Sequence, residues 1–283
     1  MTPREHFADL DAFVVHDMKQ TERMDQFTQQ FNDVFKSITF VQPEPPRDPR
    51  TIREDMHQSK LSDPEWYDLD AYDMPEDMDK WLEQKGTRGH KGQGKGPYFY
   101  VAADSLRRTQ LGILSRFLES GKQRMMMFED DAYPRPGFLD TELDMPEDAH
   151  ILAWGGAIPS TSADGREYVA GNKYKISRIR TKLINKGPSM FCTHAYEVDR
   201  LGAEWLVDCW SKASIIDQSW HKALLTNDGT YRVRPQGIVQ VNNESTIDAS
   251  VASGRYMPLE RDEWPERKGF FGIIWHKGDE LRK

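Results

Sequence analysis

Cysteine is nearly absent from this chain, with only Cys192 and Cys209 among 283 residues. Two such thiols supply neither a disulfide framework nor the paired spacing of a zinc knuckle, so both are expected to be reduced and packed. Long apolar runs are missing as well. No stretch approaches the roughly 18 to 20 consecutive apolar residues of a membrane span. The opening MTPREHFADLDAF lacks an extended apolar signal core. These absences predict a soluble, cytoplasmic protein without a membrane span. Positive charge is in deficit, 38 Lys plus Arg against 46 Asp plus Glu for a net charge of −8, which excludes a globally basic nucleic-acid coat. A polyanionic partner must therefore be met by a local patch. No internal repeat is visible.

What is present suits a globular chain. At 37% hydrophobic and 30% charged residues, with 20 Gly and 16 Pro, it can bury a full core. The apolar run from Ala12 to Val15 predicts a strand. Thr21 then serves as a candidate N-cap for a helix whose apolar residues Met24, Phe27, Phe31, Val34 and Phe35 recur at helical spacing. Ser37 to Val41 predicts a second strand. Residues 42–97 hold PEPPRDPR, ten acidic residues between 51 and 80, and a Gly-rich basic run from Lys85 to Gly96, and read mostly as loop or insertion. Alternation resumes with strands at Tyr98–Ala102 and Met125–Phe128 and a helix over Ser105–Ser120 stopped by Gly121. Further strands are expected at Ile151–Trp154, Met190–Thr193, Tyr231–Arg234 and Gly237–Val241, with helices at Asp199–Trp210 and Asp217–Leu225. The pattern predicts an α/β fold with helices on both faces of one sheet, spanning 1–283 as a single domain with an insertion at about 42–97.

The most informative stretch is Met125 to Asp131, where an apolar strand ends in Glu129, Asp130 and Asp131. Ligands of open α/β sheets gather at the carboxyl ends of strands, and adjacent carboxylates repel unless a cation or proton relieves them. Mg²⁺ or Mn²⁺ accepts one or two carboxylates and completes its shell with water and phosphate oxygens, an arrangement that suits a diphosphate leaving group. Along an extended chain, Glu129 and Asp131 face one side and Asp130 the other. A solvated turn is the alternative for such a triplet.

The same residues carry a resemblance. Thr109 to Phe117 followed by MMMFEDDAYPRPGF resembles the "GC-x-x-SH … EDD" block of glycosyltransferase family 25, the lipooligosaccharide and procollagen sugar transferases. Val14 to Arg23 is similar to that family's opening strand and "NL-x-x-x-x-ER" turn. Pro188 to Ala203 is similar to its "G-T-x-A-Y … GA" segment, Ile216-Asp217 to its "P-x-D" position, and Val239-Gln240 with Ser245 to Ile247 to its "Q … S-x-I" close. The likeness spans residues 12–247 and leaves 42–97 and the C-terminal tail uncovered. It departs at Arg116, where the family has histidine, and at Gln110, where it has glutamate.

The resemblance implies a GT-A-like (Rossmann-like) mixed sheet flanked by helices, a UDP-sugar donor, and Mn²⁺ or Mg²⁺ at the carboxylates. Asp131 and Glu129 are the implied metal ligands, and Asp130 faces the donor. His276 joins the metal set because transferases of this fold can draw a late histidine onto the ion; a structural or exposed imidazole is the other reading. Asp217 follows the apolar pair Ile215-Ile216 and aligns with the family aspartate, so it is the candidate base for the acceptor hydroxyl; an ordinary N-cap is the other reading. Arg23 and Arg116 are candidate phosphate contacts, against surface ion pairs. Ser115, His194 and Tyr196 lie in matched segments and are assigned to the nucleotide-sugar pocket, although His194 and Tyr196 equally suit the core. Trp154, before Gly155-Gly156, could stack on a sugar or base, with core packing as the default.

Two basic stretches interrupt the acidic whole. Lys85, Arg88, Lys91 and Lys95 lie in the Gly-rich run, and Lys173, Lys175, Arg178, Arg180, Lys182 and Lys186 follow one another without an intervening acid. Such segments suit a phosphate backbone, which favours DNA as acceptor partner. A hydroxymethylated pyrimidine, as in virus-type DNA, offers a primary hydroxyl reachable by base flipping. The competing acceptor is a phosphorylated saccharide, and a non-catalytic DNA- or sugar-binding module is the non-enzyme reading.

Overall fold

The computed structural model describes residues 1–62, 97–155, 174–179, 193–212, 216, 227–234 and 236–240, together with two short strands at 267–268 and 274–275. The chain opens with a short helix, α1 (Pro3–Phe7), whose Thr2 and Glu5 close a reciprocal capping box. Strand β1 (Asp11–Val15), helix α2 (Thr21–Phe31) and strand β2 (Ser37–Val41) follow as expected. Gln20 rather than Thr21 occupies the α2 N-cap, without a side-chain hydrogen bond.

Two segments differ from expectation. Residues Pro49–Ser62 form helix α3 within the stretch read as loop. Tyr98–Ala102 is no strand: helix α4 runs unbroken over Pro97–Glu119. Proline suits the first helical position, and no glycine or second proline interrupts the residues from Tyr98 to Leu111. Aromatic and β-branched composition therefore yields to the continuous helix that packs against α3.

After α4 come β3 (Arg124–Glu129), β4 (Ala132–Pro134), a 3-10 turn at Phe138–Asp140 and β5 (Ile151–Ala153). Then follow β6 (Lys175–Arg178), β7 (Ala195–Asp199), helix α5 (Arg200–Ser211), β8 (Thr230–Arg234), β9 (Ile238–Gln240), β10 (Arg267–Lys268) and β11 (Ile274–Trp275). Of the strand expected at Met190–Thr193, only Thr193 is described, and it precedes β7 without strand structure; 190–192 lie outside the described residues. The expected helix at Asp217–Leu225 also falls outside them.

Seven strands form one mixed sheet in the order β2-β1-β3-β7-β5-β8-β6. β1 runs parallel to both β2 and β3, β7 opposes β3 and β5, and β8 is parallel to β5. Side-chain alternation along β3 divides the core. Met126 and Phe128 join Phe7, Phe27, Phe31 and Trp154 on the face covered by α1 and α2. Met125 and Met127 join Ile113, Phe117, Leu206 and Trp210 on the face covered by α4 and α5. All four β3 side chains are fully buried, each contributing about 1.5–3 kcal/mol of apolar burial. The fold is thus an α/β mixed sheet with helices on both faces. Cys209 is buried on α5. Among the described residues no helix is long and apolar enough to cross a membrane.

Candidate functional site

The register of the first three strands builds the site. Val15 stands opposite both Val41 and Glu129, so β1, β2 and β3 end level. The chain leaving them encloses a cavity of about 500 Å³. One wall carries Asp17, Gln20, Arg23 and the triplet Glu129, Asp130 and Asp131; the other carries Pro43 to Pro46 and the α4 residues Ala102, Ser105 and Leu106. This is where parallel strands leave room for ligands.

The proline-rich wall is clamped to α4. Asp104, buried, accepts from Arg47 Nε (2.9 Å), Arg47 Nη2 (2.8 Å), Arg108 Nε (2.8 Å) and Arg107 Nη2 (3.0 Å). Burial pushes the Asp104 carboxyl upward, and the three guanidiniums more than reverse this, holding it below its usual range. Ser105 donates to the Glu44 carbonyl, and the Glu44 amide donates to Thr109 Oγ1 at 2.8 Å. Sequence reasoning passed over this clamp, although Asp104 with Arg107 and Arg108 at i+3 and i+4 was a legible signal.

Each member of the acidic triplet has its own surroundings. Asp130 is held on both oxygens, Oδ2 by His16 Nδ1 at 2.9 Å and Oδ1 by Arg23 Nη1 at 3.1 Å. His16 is buried, and its Nε2 meets no hydrogen-bond partner among the described residues. Glu129 Oε1 accepts the Thr193 hydroxyl at 2.9 Å, and its amide donates to the His194 carbonyl at 3.1 Å. Asp131 lines the cavity beside them. Among the described residues, five carboxylates (Asp17, Glu44, Glu129, Asp130 and Asp131) and one guanidinium, Arg23, line this space. Glu44 is offset by Arg108 at 3.4 Å and Asp130 by Arg23.

Among the described residues no three His, Cys, Asp or Glu side chains converge as a metal-binding group. Asp131 and Glu129, the carboxylates that the resemblance assigns to a cation, both line the cavity, while Asp130 is held by His16 and Arg23. That donor set fits an open site, one or two carboxylates completed by water and phosphate, rather than a closed protein cage.

The structure therefore gathers Arg23, Glu129, Asp130 and Asp131 at one cavity and sends other candidates elsewhere. Ser115 and Arg116 are exposed on α4, nine and ten residues beyond Leu106, which is about 14–15 Å along a helix axis. Neither is among the described residues that line this cavity. Trp154 is fully buried, and its Nε1 donates to Glu197 Oε2 at 3.1 Å, so it packs the core instead of offering a stacking face. His194 is buried, and its Nε2–H donates to the Ile238 carbonyl at 3.2 Å. Burial depresses its pKa to about 4, so it stays neutral inside the protein rather than lining the pocket. Tyr196 is likewise enclosed. Lys175 and Arg178 lie on β6 at the sheet edge, four strand positions from β3 and about 19 Å away. Arg178 is paired there with Asp148 and, at 3.7 Å, with Asp228, and donates to the Tyr231 hydroxyl at 2.7 Å. Asp217, His276, Lys85, Arg88, Lys91, Lys95, Lys173 and Arg180 lie outside the described residues. His16, Asp17, Gln20 and Thr193 were missed by sequence reasoning.

Compared with models of protein families and with curated proteins, the chain matches none.

Proposed function

We propose that this chain is a metal-assisted glycosyltransferase on a GT-A-type sheet, moving a sugar from a nucleotide-sugar, UDP-linked in the first instance, to a hydroxyl acceptor. The single observation that carries the reading is the cavity at the level ends of β1, β2 and β3, walled by the triplet that closes a buried strand. Among the described lining residues carboxylates outnumber guanidiniums, a balance that favours entry of a diphosphate together with a compensating cation. Bound Mg²⁺ or Mn²⁺, held by Asp131 and Glu129, would supply charge neutralisation for the leaving diphosphate. Arg23, fixed by Asp130, presents its guanidinium at the same wall. In the transfer, the bond from the sugar to the diphosphate oxygen breaks and a bond to the acceptor oxygen forms. The acceptor proton passes to a carboxylate base, assigned to Asp217.

For the acceptor we propose a hydroxymethylated pyrimidine of DNA, with the basic residues between 85 and 95 following the phosphate backbone. A saccharide acceptor is favoured by one observation, the neutralisation of Arg178 by Asp148 and Asp228, which removes a cation from the second basic stretch. Incubation with UDP-sugars, Mn²⁺ and hydroxymethylcytosine DNA, unmodified DNA or saccharide, read by mass, tests the proposal. A hexose-sized mass gain on modified DNA alone is expected. Gain on the saccharide alone overturns the acceptor, and DNA retention without any transfer under all donors supports the binding module instead.

A further inference from the structure

The Glu129 carboxylate sits at the end of a buried hydrogen-bond chain that the proposed chemistry has not used. Tyr196 Oη donates to Gln110 Oε1 at 2.8 Å. Gln110 Nε2 donates to Thr193 Oγ1 at 3.5 Å, the longest link, and Thr193 Oγ1 donates to Glu129 Oε1 at 2.9 Å. Tyr196, Gln110 and Thr193 are each fully or almost fully buried. The chain ties α4, β7 with its preceding residue, and the end of β3.

Its direction is fixed by counting protons. A hydroxyl has one hydrogen, and Thr193 commits it to an acceptor-only carboxylate, so Thr193 must receive the amide N–H of Gln110. The Gln110 carbonyl then faces Tyr196, which donates to it. Burial, and secondarily the charge of Glu129, raises the Tyr196 phenol well above its ordinary value, so this donor keeps its proton. Every dipole thus points toward Glu129, and such a chain polarises cooperatively. A network serving only the core would end among buried groups; this one ends on a cavity wall.

We infer that Tyr196, Gln110 and Thr193 are positioning residues that orient the Glu129 carboxylate toward whatever cation occupies the cavity. The inference rests on the proposed function only in assigning a cation to that wall. It also accounts for Gln110 itself, since glutamate there could accept from Tyr196 but could not donate to Thr193.

The test measures Mn²⁺ binding alone, by calorimetry, beside thermal melts. Thr193→Val, Tyr196→Phe and Gln110→Glu are expected to weaken Mn²⁺ about tenfold or more, as loss of a ligand's supporting hydrogen bonds does elsewhere, while Thr193→Ser stays within about threefold. Equal affinity in all four variants, or Thr193→Ser falling as far as Thr193→Val, overturns the inference. Crystal structures of wild type and Thr193→Val give a readout independent of metal: Glu129 should leave its place in the variant, and an unmoved carboxylate overturns the relay. Should wild type fail to bind Mn²⁺ while Glu129 moves in Thr193→Val, the metal reading fails and the positioning chain stands.

Discussion

Replacing Glu197 with glutamine should unfasten the N-terminal helix from the sheet. The Glu197 side chain is fully buried on β7; its Oε2 accepts from His6 Nε2 at 2.8 Å and Trp154 Nε1 at 3.1 Å, and its Oε1 accepts from Arg124. An amide cannot satisfy these three donors. Its NH₂ must face either Arg124 or the indole N–H, and neither can accept. Breaking a buried pair costs about 3–5 kcal/mol. Arg124 retains 27% side-chain exposure, so water relieves part of that, and about 2–4 kcal/mol is expected. At about 2–4 °C per kcal/mol for a domain of this order of size, Tm should fall by about 4–16 °C. The pH dependence follows from the same partners. Burial raises the Glu197 carboxyl, but His6 and Arg124 outweigh it and hold the group below its ordinary 4.5. A depressed carboxyl stabilises the fold above its unfolded value and loses that contribution as pH falls through the folded one. The part of the gap that comes from the Glu197 charge should therefore persist down to about 4.5 and close below it. Thermal melts across this range provide the assay; a Tm change under about 1 °C at pH 7 would refute the reasoning.

His194 predicts a second pH effect of distinct origin. Its folded pKa is depressed to about 4, so between there and the ordinary 6.5 the unfolded chain binds more protons and stability must fall as pH falls. Full development of that shift amounts to about 3 kcal/mol, and a His194→Gln variant should show a flatter stability profile over this window in denaturant titrations. Gly155→Ala should destabilise by about 1–3 kcal/mol, since a Cβ there would collide with the His194 imidazole and the Ile238 carbonyl; an unchanged denaturation midpoint would contradict that packing. Trp154→Phe removes the N–H donated to Glu197 and leaves a small cavity where the larger indole packed, so it should cost about 2–3 kcal/mol while leaving the proposed sugar transfer and DNA retention unchanged in the folded protein; altered acceptor affinity would restore Trp154 to the acceptor surface.

Much of the frame was legible because it rests on local signals. The run Ala12 to Val15, the helical spacing of Phe27 and Phe31, and the buried β3 run ending in acids each declare their structure and set the cavity wall. α3 was hidden by its neighbours: PEPPRDPR and the acidic stretch suggest a loop, whereas Ile52 buries itself and Arg47 locks the segment to Asp104. α4 was cut short because Tyr98 to Ala102 has strand composition, and only its continuity with the helix decides otherwise. The triplet could be read as acidic but not divided into roles. Which carboxylate meets His16, which meets Thr193 and which lines the cavity beside them depends on β1 and β7 flanking β3, a pairing that sequence spacing does not encode. Trp154 and His194 illustrate the opposite error, in which chemistry-bearing side chains in suggestive segments turn out to be core.

The account turns most directly on UDP binding measured with and without Mn²⁺, in wild type and in Asp131→Asn. Wild type should bind UDP measurably only when Mn²⁺ is present, and Asp131→Asn should lose that metal-dependent binding while keeping its melting temperature. UDP binding of equal strength without metal, or undiminished in Asp131→Asn, would contradict it.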